Sequence, residues 1–124
     1  MLNKELIDAV KNLIVNGTQF NVEELDEIYH EDLHIARRID ENSIQVIDKT
    51  ENMAFFQSKR EEGAEPLSPE AIFLYAHASG PAGHVVLERK MALNDKEEHL
   101  IYNITLRKVD QTWQVISEFV LPLD

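Results

Sequence analysis

The hydrophobic pattern of this chain changes period once, and that change limits what it can fold into. Apolar residues recur at helical spacing in the first part and alternate at strand spacing after Pro69. Residues 3–16 place Leu6, Ile7, Val10, Leu13 and Ile14 on one helical face, and Gly17 follows as a natural stop. A second helix is expected from Asn21, a suitable cap, with Val22, Leu25, Ile28 and Tyr29 on one side. Beyond Tyr29 the pattern reads two ways. Leu33, Ile35 and Ile39 alternate as in a strand, while Tyr29, Leu33 and Ala36 would continue the helix. Ile44, Val46 and Ile47 suggest a short strand, and residues 50–62 a third helix closed by Gly63. Pro66 and Pro69 mark the connection that follows.

Strand-like runs then cover residues 71–78, 84–93, 99–109 and 112–121, separated by Gly80-Pro81, Asn94-Asp95 and Asp110-Gln111. Tyr102, Ile104 and Leu106 alternate with Asn103, Thr105 and Arg107, as in a half-buried strand. The last run is apolar on both faces, with Trp113, Val115, Phe119 and Leu121 on one and Ile116 and Val120 on the other. Such a strand needs cover on both sides, and a second copy of the chain is a simple candidate for the side without helices. Helices first and strands afterwards is the α+β pattern, with N-terminal helices packed on a curved antiparallel sheet. The length of 124 residues fits one domain spanning 1–124.

Charge and composition narrow the function classes. The formal charge is -11, from 23 acidic against 12 basic residues, and such a surface repels nucleic-acid phosphates and anionic lipid. With no cysteine there is no disulfide, thiolate metal site or cysteine nucleophile. No apolar run is long enough to cross a bilayer, and the first residues lack the core of a signal peptide, so a cytoplasmic setting is expected.

The chain resembles the nuclear transport factor 2-like superfamily, including its SnoaL-like and lumazine-binding branches. The resemblance rests on the order of elements, on the segment Glu24 to Ile35 leading into a strand, and on the ending Leu106 to Ile116 with its Trp113. It implies a cone-like, cystatin-type fold with a cavity between helices and sheet, and frequently a homodimer. Family members include isomerases, cyclases, dehydratases and pure binding modules, so the resemblance does not decide the function. Ketosteroid isomerase-like members carry a carboxylate base shortly after the segment resembling Tyr29 to Asp32, where this chain has Ala36-Arg37-Arg38. Their first-helix tyrosine corresponds to Leu13, Ile14 and Val15 here, and their late-strand acid to the vicinity of Thr105. The isomerase mechanism therefore does not transfer.

His30-Glu31-x-x-His34 matches a zinc-peptidase pattern, in which two histidines one helical turn apart bind the metal and the glutamate activates water. It requires a helix through residues 30–34 and a third ligand, for which His77, His84, Glu88 and His99 are available. The competing reading is a helix end with solvated polar residues. No cofactor is implied.

Pocket candidates follow from strand parity. Arg37 shares its parity with Leu33, Ile35 and Ile39, so it is expected inside, paired with an acid such as Glu118 or holding an anionic ligand. Tyr75 and His77 share one strand face, and histidine serves as acid or base near neutrality. His34, Asn103 and Arg107 complete the candidate set, with Asn103, Thr105 and Arg107 forming a polar stripe in the pocket or on the outside of the sheet. Trp113 reads as core or dimer packing, and His84 as a loop-edge residue. Three functional readings result: a noncatalytic small-molecule-binding or dimerisation domain, a SnoaL-like enzyme, and a small zinc hydrolase. The enzyme reading expects at least two of His34, His77, Tyr75 and Arg37 to meet in one cavity.

Overall fold

The computed structural model describes residues 2–93 and 96–123, with no account of the side chains at 92, 93 and 96. Its elements run α1 (Lys4–Thr18), α2 (Val22–Ile28), β1 (Tyr29–Asp40), β2 (Ser43–Asp48), α3 (Lys49–Glu61), β3 (Ile72–Ser79), β4 (Ala82–Leu93), β5 (Lys96–Val109) and β6 (Thr112–Pro122). The Asn94-Asp95 turn lies outside the described residues. The six strands form one sheet in the order β2-β1-β6-β5-β4-β3. Neighbouring strands are antiparallel except β1 and β6, which run parallel. The sheet is therefore mixed, not wholly antiparallel as the sequence suggests. β2, α3 and the β3–β5 meander lie between β1 and β6 in the chain, and this long connection allows β6 to return alongside β1 in the same direction.

Local chemistry sets the element boundaries. The Asn3 side chain caps α1 by accepting from the Leu6 N–H at 3.0 Å. Gly17 does not stop that helix, which continues to Thr18, and the reversal falls on Phe20 in the left-handed region at φ 56°. Asn21 sits at the cap position of α2 without a side-chain capping bond, and its Nδ2 donates to Asn16 Oδ1 at 2.9 Å. Asp48 and Glu51 form a reciprocal capping box that starts α3. Asp110 and Gln111 both take positive φ, as a two-residue turn between antiparallel strands requires.

The ambiguity after Tyr29 resolves to strand. Its pairing with β6 slips between Tyr29 and His34, so residues 30–33 form an irregular bulge rather than a helical turn. The helix needed by the zinc motif is absent. His30 and His34 are therefore not one helical turn apart on a shared face, as the motif requires. His30 Nδ1 instead accepts from the Asp32 N–H at 3.0 Å. Among the described residues no group of three or more His, Asp or Glu is placed to hold a metal, and no helix is long and apolar enough to cross a membrane.

The helices pack on one face of the sheet. Leu6 and Val10 of α1 and Leu25 of α2 are fully buried against Leu33, Val85, Leu87, Ile104, Leu106 and Val115. Burial of this apolar surface is the main stabilising term of the fold. At Gly83 the approach is so close that a Cβ would lie 2.6 Å from Leu6 Cδ2. His84 follows within β4, opposite His77 of β3, and is a strand residue rather than a loop-edge one.

Candidate functional site

Toward the α3 end of this layer the helices and sheet do not fill the space between them. A cavity of about 400 Å³ remains, and most of its wall is apolar: Leu13 and Ile14 of α1, Phe55 and Phe56 of α3, and Leu87, Met91, Ile104 and Val120 of the sheet. That size and character suit a small organic molecule. Set into the wall are Tyr29, Arg37, Asn52, Arg89, Tyr102 and Glu118.

A β-bulge puts Glu118 there. The β5–β6 register slips between the Thr105–Ser117 and Leu106–Val115 pairs, inserting one extra residue at Ile116. Strict alternation would set Glu118 opposite to Val115. The inserted residue reverses the parity, so Val115, Glu118 and Val120 share the helix-facing side while Phe119 points away. The two-faced pattern expected for this strand is corrected accordingly.

Glu118 is 7% exposed, and its Oε2 has no hydrogen-bond partner. Burial is the largest influence on its carboxyl and pushes its pKa up to about 7, opposed by the Tyr29 hydroxyl and the positive charge of Arg89. The same burial, reinforced by Glu118, raises Tyr29 well above the usual phenol value and pushes Tyr102 up to about 12. Arg89 is 8% exposed. One Nη donates to the Ser68 carbonyl at 2.8 Å, the guanidinium lies 5.8 Å from the Tyr102 ring centroid, and Nε has no partner. Asn52, also buried, has an unpartnered Nδ2.

Leaving a buried polar atom without a hydrogen bond costs about 1–3 kcal/mol, so such atoms are scarce. Four side-chain atoms are in that state among the described residues, and three of them belong to residues lining this cavity. Asn52, Arg89 and Glu118 thus share one cavity wall, each with a polar atom that has no partner within the protein.

Of the six pocket candidates Arg37, Tyr75, His77, His34, Asn103 and Arg107, only Arg37 lines the cavity. Its partner is Glu98, at 2.9 Å, and not Glu118. Tyr75 and His77 point to the opposite side of the sheet, where Tyr75 packs near His84 at 6.2 Å between ring centroids. Asn103 is on that outer side as well, with its Oδ1 3.4 Å from His84 Nε2. His34 pairs in register with Ser117 on the same outer surface, and Arg107 is exposed opposite Gln114. The convergence of at least two of His34, His77, Tyr75 and Arg37 in one cavity therefore does not occur.

The residues that sequence reasoning missed left partial signals. Arg89 interrupts the apolar series Val85, Leu87, Met91, and Tyr102 falls among Leu100, Ile104 and Leu106. A polar head on an apolar parity points to an internal site. Asn52 stands one helical turn before Phe56 on the buried side of α3. Glu118 enters the sequence reading only as a candidate partner of Arg37, because the bulge that turns it inward is invisible to a period-two reading.

Comparison with known proteins identifies the fold. No protein-family model matches the chain, and no curated protein matches it. Solved structures do. A nuclear transport factor 2-like protein from Cytophaga hutchinsonii is similar at a TM-score of 0.80 and 17% identity, over 99% of this chain and 100% of that one. One of unknown function from Silicibacter pomeroyi gives 0.77 and 12%, over 96% and 93%. Another from Rhodospirillum rubrum, described as of unknown function in nutrient uptake, gives 0.76 and 15%, over 96% and 98%. The chain has the nuclear transport factor 2-like fold, and at these identities the likeness concerns the fold alone.

Proposed function

We propose that the protein is a small-molecule-binding domain whose ligand has an apolar body and a polar end and occupies the cavity between α1, α3 and the sheet. The observation that carries this reading is the gathering of unpartnered polar atoms of Asn52, Arg89 and Glu118 around one largely apolar space. A ligand that binds there should shift the backbone amide NMR resonances of Asn52, Arg89 and Glu118 and leave those of Tyr75 and His77 in place. Shifts confined to the outer side of the sheet would refute the assignment.

A second reading has a specific observation of its own. A carboxyl pushed up to about 7 exchanges protons readily at neutral pH, as an acid–base catalyst of isomerisation or dehydration must. Under this reading Glu118→Gln abolishes turnover of a bound substrate with little change in its affinity. Equal loss of both assigns Glu118 to binding.

The outer side of the sheet supports a further part of the proposal, assembly with a second copy. Val46 is 57% exposed, Tyr75 47% and Phe119 40%. Apolar side chains spread across one sheet face in this way suit an isologous dimer.

A further inference from the structure

We infer that the cavity is selective for a monocarboxylate, with the ligand's carboxylate held by Arg89 and its apolar body lying against Leu13, Phe55, Phe56 and Met91. This rests on the binding reading above and specifies the chemical class that the site takes.

Several exposed or half-exposed cations have carboxylate partners, among them Arg37 with Glu98 at 2.9 Å, Arg60 with Glu23 at 2.7 Å and Lys49 with Asp26 at 3.2 Å, and others, such as Arg38 and Arg107, are solvated. Arg89, although buried, has no carboxylate within 4.0 Å among the described residues. That inverts the usual order, since a buried cation needs a counterion more than a surface one does. A carbonyl and an aromatic face soften the environment of Arg89 without neutralising it. The guanidinium lines the cavity, and its planar fork of donors matches the two oxygens of a carboxylate.

Glu118 is the internal alternative, and its behaviour argues against that role. A carboxyl serving as the direct partner of Arg89 would be pulled below its ordinary value; instead burial dominates and holds it up, near neutrality. In its protonated form Glu118 adds no negative charge and offers one O–H donor, which a ligand carboxylate accepts. One cation, one ligand anion and one neutral acid give a balanced site. A dianion such as a phosphate monoester would leave uncompensated charge against an apolar wall.

This arrangement links binding to pH. The groups facing Glu118 are Tyr29 and Arg37 of β1, Gln45 of β2, Glu51 and Asn52 of α3, Arg89 of β4, and Tyr102 and Glu98 of β5, while α1 contributes no titratable side chain. Arg37 and Glu98 neutralise each other, and Glu51 is engaged in the α3 capping box. Ionisation of Glu118 above about pH 7 therefore sets a second negative charge beside the ligand and weakens its binding.

The test compares matched probes on the unmodified protein by calorimetry: phenylacetate, 4-phenylbutanoate, octanoate and 2-naphthoate, each against its own amide. The expected result is at least one acid bound about tenfold or more tighter than its amide, with the preference smaller at about pH 8 than at about pH 6. The preference should vanish in Arg89→Gln and survive in Arg107→Gln, a change on the exposed outer side of the sheet. Amides bound in the cavity as tightly as the acids overturn carboxylate selectivity and leave the binding reading intact. No binding of any acid or amide overturns both. The acid–amide comparison is decisive even where Arg89→Gln fails to fold, because it needs no variant.

Discussion

The Arg37 guanidinium reaches across β6 to Glu98 on β5, closing at 2.9 Å, and so leaves Glu118 on the strand between them without an ion pair. Both partners of that pair are about a third exposed, at 39% and 28% of their side chains. Solvent screens such a pair, and its worth is limited. Glu98→Gln should therefore lower stability by no more than about 1 kcal/mol in urea denaturation. A loss several times larger would mean that the pair is shielded from water in solution.

The buried carboxyl gives a pH signature. Its pKa in the fold is about 7, against an ordinary 4.5, so the folded state binds the proton more tightly than the unfolded chain. The stability that this contributes is full below pH 4.5, declines as pH rises to about 7, and is absent above. Glutamine is neutral throughout. Glu118→Gln should thus gain on the parent by up to roughly 3 kcal/mol at about pH 8, with little gain at about pH 4. Denaturation midpoints of both proteins across this range check it, and a pH-independent difference between them would show that Glu118 does not titrate abnormally.

Gly83 is the contact on which α1 rests. A methyl group there meets Leu6 Cδ2 at 2.6 Å and Trp113 Cζ3 at 3.2 Å. Gly83→Ala should cost about 1–3 kcal/mol through displacement of Leu6. Recovery of most of that loss in the double variant Gly83→Ala, Leu6→Val would identify the clash as the cause.

Phe119 tests assembly. Analytical ultracentrifugation of the parent should give a dimer, and Phe119→Asp a folded monomer, since a charge at the middle of an apolar contact between two copies is left unpaired in both. A monomeric parent removes the dimer from the proposal.

The sequence carried the architecture well and the site poorly, for one physical reason. Helices and strands write their periods into many residues at once, so the Leu6 to Ile14 face and the Tyr102 to Leu106 alternation survive local irregularities. A site depends on single residues, and one extra residue reverses everything beyond it. The bulge at Ile116 turned Glu118 inward and Phe119 outward, against the parity read from Trp113 and Val115. Tyr75 and His77 were rightly grouped on one strand face, but periodicity does not say which face meets the helices. Strand parity puts Arg37 inside; it lines the cavity, with Glu98 rather than Glu118 beside it.

The parallel pairing of β1 with β6 also governs the order in which the molecule can be made. During synthesis the segment from Tyr29 to Asp40 leaves the ribosome long before residues 112–122, yet it lacks one of its two neighbours in the sheet until they emerge. The early helices and the β1–β2 hairpin must wait as a partly open unit, with apolar surface uncovered, until residues 112–122 are available. Contacts so far apart in sequence slow folding. They also make the cavity, whose wall includes both Tyr29 and Glu118, among the last features to acquire its shape.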